Sequence, residues 1–335
     1  MHTGTRYTPL EFFKWTRRDT YWMILLAAAP TVAFAFGARF IALPWQPIAI
    51  LGTAVAFIVG FKNNASYNRI WEARQIYGAI INDSRSFAYT LRDALGGKDA
   101  PFVKQIFYRH FAWLTALRYQ LREPRPWENM QRQNNQEFLG EHYQIPEKQQ
   151  SLETSLQPYL SQEEWIYITG KKNKATQLSA LQSAELSKLR ASNTLNDFQW
   201  TQLQQRLIQL TEHQGRAERI KNFPYPRNFS SIATYLLLIF VVLVPFGAIR
   251  DFENLGKGTF LEGYTLWLNI PFSVIVTWAF HTLDTVGESS VNPFEGSAND
   301  VPITQISRLI EIDLRDMLDE TNLPAPLTAQ NNILL

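Results

Sequence analysis

Apolar residues gather in two pairs of runs, with a long polar but periodic stretch between the pairs. Residues 21–43 are apolar apart from Arg39 near the far end. A helix that crosses roughly 30 Å of hydrocarbon needs about 20 such residues. Pro44, Trp45, Gln46 and Pro47 make a turn too short to cross anything, and residues 48–61 run apolar back toward the starting side. Residues 232–249 predict a third span, residues 250–262 a short polar loop, and residues 264–283 a fourth span. Two hydrophobic hairpins follow, with both termini on one side. A signal peptide is the rival reading of the first run. The second run follows at once, however, and no small-residue cleavage site stands out.

Between the hairpins, Ala73, Ile76, Ile80, Phe87 and Leu91 are spaced to give one helix face an apolar stripe, so the second span is expected to continue as a long helix. From residue 122 to residue 195 the chain is rich in Gln, Asn and Glu, with Pro124, Pro126, Pro146 and Pro158 as breakers; short helices and loops are expected. Periodicity returns at Leu195, Phe198, Leu203, Leu207 and Leu210, ending near Gly215 before Pro224 and Pro226. Ile303, Ile306, Ile310, Leu314 and Met317 predict a further amphipathic helix, and the tail beyond Pro324 is expected to be disordered. The organisation is therefore all-α: an N-terminal segment (1–19), a first transmembrane hairpin (20–61), a helical region with a Gln-rich insert (62–229), a second hairpin (230–283) and a C-terminal segment (284–335).

Charge adds an orientation. Arg6, Lys14, Arg17 and Arg18 precede the first span, Lys62, Arg69 and Arg74 follow the second, and Lys221 and Arg227 precede the third, so these ends are expected to be cytoplasmic. Trp15, Tyr21, Trp22, Trp45 and Trp267 lie near the boundaries, as rings anchored at headgroup level do. With 32 basic and 30 acidic residues, the net charge of +2 offers no basis for binding nucleic acid. Cysteine is absent, which excludes a disulfide framework, a thiolate metal site and a cysteine nucleophile.

No catalytic constellation stands out. His2, His110, His142, His213 and His281 are scattered, and the glycine pair Gly96 and Gly97 lacks a following GK[ST] and reads as a turn. No enzyme and no cofactor are expected. Thr53, Phe57 and Phe61 are spaced by four on the second span, and Asn64 and Asn68 extend that face. Rings giving way to amides suit a helix that lines a conduit; the plain alternative is that the rings face lipid or neighbouring helices. Asp284, Glu288, Asn292, Glu295, Asn299 and Asp300 cluster after the fourth span as an oxygen-rich loop. It does not fit an EF-hand and reads as a solvated loop with Asx turns or a cation site.

Three segments carry a family resemblance. GFKNNASYNRIWEAR at residues 60–74, ERIKNFPYPR at residues 218–227, and VNPFEGSANDVPI at residues 291–303 followed by EIDLRDML resemble bacterial bestrophins, in the family's order and topology. The resemblance covers most of the chain except residues 125–191, a stretch longer than in relatives. It implies a homopentameric ion channel in the bacterial inner (plasma) membrane, with cytoplasmic termini and one axial pore that conducts monovalent ions. These are chloride or other anions, or Na⁺ or K⁺ as in some bacterial members.

The family's neck of three apolar residues falls here on Thr53, Phe57 and Phe61, and the hydroxyl at Thr53 departs from the pattern. Asn64 and Asn68 line the pore below it. A second constriction, the cytoplasmic aperture, maps to Leu207. A Ca²⁺ clasp after the Asn-Pro-Phe motif is reduced to Asn292, Glu295 and Asp300, so no strong Ca²⁺ activation is expected. Lys62, one helical step from Phe61, is expected to turn toward a neighbouring subunit or the membrane interface. A non-conducting membrane scaffold and a secondary transporter stay open as alternatives.

Overall fold

The computed structural model describes residues 1–335, the side chain of Asn134 excepted. Helices dominate, and strand pairing among the described residues is limited to isolated bridges of Ile333 with His2 and Gln330. The chain divides into two compact units, Gly4–Asn68 with Pro224–Val291, and Met1–Thr3 with Arg69–Phe223 and Asn292–Leu335.

The first unit is hydrophobic. Helix α1 (Pro9–Ala35) starts from a reciprocal cap: the Thr8 hydroxyl accepts the Glu11 N–H, the Glu11 carboxylate accepts the Thr8 N–H, and Pro9 needs no donor there. It stops at Ala35, short of the predicted end at residue 43. Gly37 there adopts φ +103, a left-handed turn open to glycine, and the 3₁₀ turn Arg39–Ile41 follows.

Three stretches are long and apolar enough to cross a membrane: helix α2 (Trp45–Ala94), a helix Arg227–Leu255, and Thr265–Ser289. Helix α1 is not among them, because Lys14, Arg17, Arg18 and Asp19 occupy its first half and its charge-free part is only residues 20–35.

Helix α1 packs on Arg227–Leu255 and on Asn269–Ser289, which also pack on each other. One side chain ties all three: fully buried Asn269 donates to Thr31 Oγ1 at 2.8 Å and to the Pro245 carbonyl at 3.0 Å. In a membrane such a bond keeps an amide paired that hydrocarbon cannot satisfy. Helix α2 buries Ile48, Val55 and Val59 against Leu237, Phe240, Val241 and Val244. Gly52 permits this approach, since a Cβ there would sit 2.6 Å from the Phe240 ring.

The second unit holds the rest of α2, which runs unbroken for 50 residues, with the predicted stripe Ala73, Ile76, Ile80, Phe87 and Leu91 buried. Around that stripe pack α3 (Val103–Arg122), Leu152–Leu156 (α6), Gln162–Thr169 (α7), Lys174–Ala191 (α8) and Asp197–Asn222 (α9), with the short helices Gln133–His142 (α4) and Pro146–Gln149 (α5) following α3 in the chain. The membrane helices Arg227–Leu255 and Asn269–Ser289 are α10 and α11, and Ile303–Asp316 is α12.

The insert contains the short helices expected of it, but α8 has 18 residues. Leu178, Gln182, Leu186 and Leu189 recur on its buried face, against α3 and α9. Helix α9 passes through Gly215 and ends at Asn222, because one glycine costs only about 1 kcal/mol whereas Pro224 removes a donor.

The tail is ordered, contrary to expectation. Leu327 N–H donates to the Gln305 side chain, Gln305 N–H donates to the Leu335 carbonyl, and Ile333 and Leu335 pack on Met130, Tyr143 and Ile145.

Candidate functional site

Packing of one face of α2 decides what its other face can do. Val55, Val59, Lys62 and Ser66 are buried, while Thr53, Phe57, Phe61, Asn64 and Asn68 are exposed in one line, with Phe57 62% and Phe61 71% accessible. The five residues that the sequence placed on one face thus do share it. The Thr53 hydroxyl is turned back to its own helix, donating to the Ala49 carbonyl at 3.0 Å. Its methyl and backbone therefore complete the line more than a free hydroxyl does.

Lys62 corrects an expectation. It does turn off the line of rings, but to the interior of the same unit: its ammonium lies 2.8 Å from Asp284 and 3.2 Å from Glu288, and it is only 2% exposed. Asp284 and Glu288 belong to α11, spaced by four, so the oxygen-rich cluster is not one loop. Sequence reasoning missed this pairing although the i, i+4 acidic spacing signalled it. Asn63 adds a bond to the Leu283 carbonyl at 3.0 Å.

In the other unit, Leu207, expected at the aperture, is buried. Leu207 is 5% exposed within the core formed with Leu203 and Leu210, so its side chain is engaged in packing. The neighbouring Ile208 is 57% exposed, and α9 also exposes Phe198 near its start. Mapping by counted turns carries an error of a residue, and a residue is 100° of helix.

Asn292, Glu295 and Asp300 come together in the same loop, all buried. The oxygens of Asp300 serve the protein itself. Asp300 accepts the backbone N–H groups of Phe294 (2.8 Å), Gly296 (2.8 Å) and Val301 (2.7 Å) and a bond from Arg122 (2.9 Å). Positive φ at Phe294 and Gly296 curls the loop around that carboxylate.

Glu295 accepts the Asn129 N–H at 3.1 Å. Burial, then the charges of Asp300 and Glu128, push its acid up to about 8, so at neutral pH it is mainly uncharged and a poor cation ligand. Lys221 pairs with Glu128 beside it. Among the described residues no group of three or more acidic or histidine side chains is placed to hold a metal ion. His110 is buried beside Ser84 and pushed down to about 3 by burial, while His213 pairs with Asp83 at 2.7 Å.

Comparison with known proteins agrees with this architecture. The family model described as bacterial/fungal bestrophin protein matches residues 19–316. The chain is 30% identical over 301 residues to the voltage-dependent anion channel-forming protein YneE of Salmonella typhi, covering 85% of this chain and 84% of that protein. It is 26% identical to YneE of Escherichia coli K12, covering 93% and 94% respectively. Among solved structures, the bacterial bestrophin homologue of Klebsiella pneumoniae superposes with a TM-score of 0.74 at 22% identity, covering 90% of this chain and 98% of that one. By family match, relatives and fold together, the chain belongs to the bestrophin family.

Proposed function

We propose that the chain is the subunit of a pentameric channel in the bacterial inner membrane that passes monovalent anions through a neck ringed by Thr53, Phe57 and Phe61. The observation that carries this reading is the exposed line on α2, in which two phenylalanines continue into Asn64 and Asn68. A carboxamide that faces hydrocarbon leaves its donors and acceptors unpaired, so the line suits a wetted conduit better than lipid. Rings at the neck constrict it, and amides below replace part of an ion's hydration.

The sign of the ion follows from the same residues. None of the five carries a negative charge, and amide N–H groups and the positive edges of phenyl rings both favour an anion. Lys62 is neutralised by two carboxylates and sets no open field. The YneE relatives, named as anion channel-forming, support the choice.

Ile208 takes the role of the second apolar ring. Helix α1 makes the fourth crossing alongside α10 and α11, with both termini cytoplasmic. Calcium does not open the channel, because the oxygens of Asp300 are already taken by backbone donors and Arg122.

The test is purified protein in planar bilayers under a KCl gradient. Reversal near the chloride equilibrium potential is the expected result. Reversal near the potassium potential overturns the anion assignment in favour of Na⁺ or K⁺ conduction, and a reproducible absence of current favours a scaffold or a transporter.

A further inference from the structure

The ring of charge behind the neck has no role in conduction as described, yet it is built with care. Lys62 is buried, and its side chain is 3% accessible where those of Asp284 and Glu288 are 7% and 15%. An ammonium taken out of water without partners costs several kcal/mol, so the angular setting of α2 that places Lys62 between the two carboxylates is strongly preferred. Turning α2 by one residue rotates it about 100°, exposing Lys62 and burying Phe61.

Other contacts hold the same setting. Asn63, on the flank of Lys62, donates to the Leu283 carbonyl of α11. Gly287 lies between Asp284 and Glu288 on the face of α11 that meets α2, and a Cβ there would overlap the Asn63 side-chain oxygen. Ser66, one turn below Lys62, is buried on the same side of α2.

We propose that Lys62, Asp284 and Glu288 form a clasp between α2 and α11 that sets the rotation of the pore-lining helix and thereby the width of the Phe57 and Phe61 rings. They are positioning residues: none lies on the exposed line, and each acts through the rings. The clasp rests on the neck reading above and predicts that loosening it changes the current only while the rings are present.

Single-channel recordings test it on Lys62→Met, Lys62→Arg, Asp284→Asn and Glu288→Gln, each in wild-type protein and in a Phe57→Ala/Phe61→Ala background. Lys62→Met is expected to change unitary current or open probability by at least about threefold, the lower range of coupling through packed side chains. Lys62→Arg is expected to stay near wild type. Asp284→Asn, at the shorter and more buried contact, is expected to exceed Glu288→Gln. In the ring-less background all four effects are expected to collapse to near unity. An equal effect in both backgrounds, or an unchanged current from an assembled Lys62→Met channel, overturns the clasp. If Lys62→Met does not assemble, the carboxylate variants decide by the same comparison; if no variant of the three residues assembles, they are a folding element only and the proposal falls. Wild-type protein that carries no current overturns the channel reading itself, a separate outcome.

Discussion

Leu207 and Ile208 differ by one step on α9 and by nearly all of their accessibility, and they separate a core role from a lining role. Leu207→Ala empties a packed site and is expected to lower stability by about 2–5 kcal/mol, with little change in the current of the protein that remains folded. Ile208→Ala is expected to leave the melting temperature nearly unchanged and to alter conductance. Thermal melts paired with bilayer recordings check both, and the opposite pattern returns the ring to Leu207.

A second residue, Glu295, makes a pH prediction. Its acid is raised from 4.5 to about 8, chiefly by burial, so the fold favours its neutral form. The stability it contributes is full below pH 4.5 and is lost as pH rises through about 8. Glu295→Gln mimics the neutral acid. Melts of the two proteins should coincide near pH 4, while the variant should be more stable near pH 9, on the order of 2–4 kcal/mol. Coincident melts at both pH values would show that the buried carboxyl ionises at no cost.

At the scale of elements, the helices follow their apolar spacing and end where capping and backbone chemistry allow. The α2 and α12 stripes were legible because a buried face repeats every three or four residues, and the runs now seen as α10 and α11 because each is apolar over the length of a membrane crossing. Helix α8 was not, because Ala, Ser and Gln between its leucines flatten the contrast between faces. Helix α9 crosses Gly215, whose added Cβ would meet nothing within 4 Å. Gly215→Ala should therefore stabilise the protein by roughly 0.5–1 kcal/mol through lost freedom of the unfolded chain. A lower melting temperature for that variant would mean that the glycine serves a contact in the assembled protein.

For the whole molecule, the membrane character, the helical class and the line Thr53, Phe57, Phe61, Asn64 and Asn68 were determined by sequence, because hydrophobic segregation and helical period act over short distances along the chain. Motifs also carried the family. Contacts between residues far apart were decided only in the tertiary structure. Lys62 meets Asp284 and Glu288 more than 200 positions away, and nothing local to Lys62 says which face of α2 will be covered. Asp300 and Glu295 looked like the remnant of a cation site, until backbone donors and Arg122 accounted for the oxygens of Asp300 and burial favoured the uncharged form of Glu295. The tail beyond Pro324 reads as solvated by composition, yet Gln305 and the surface formed by Met130, Tyr143 and Ile145 hold it. Period and composition report what a segment can bury; which partner it buries against, and which charge is thereby matched, depends on how the chain closes on itself.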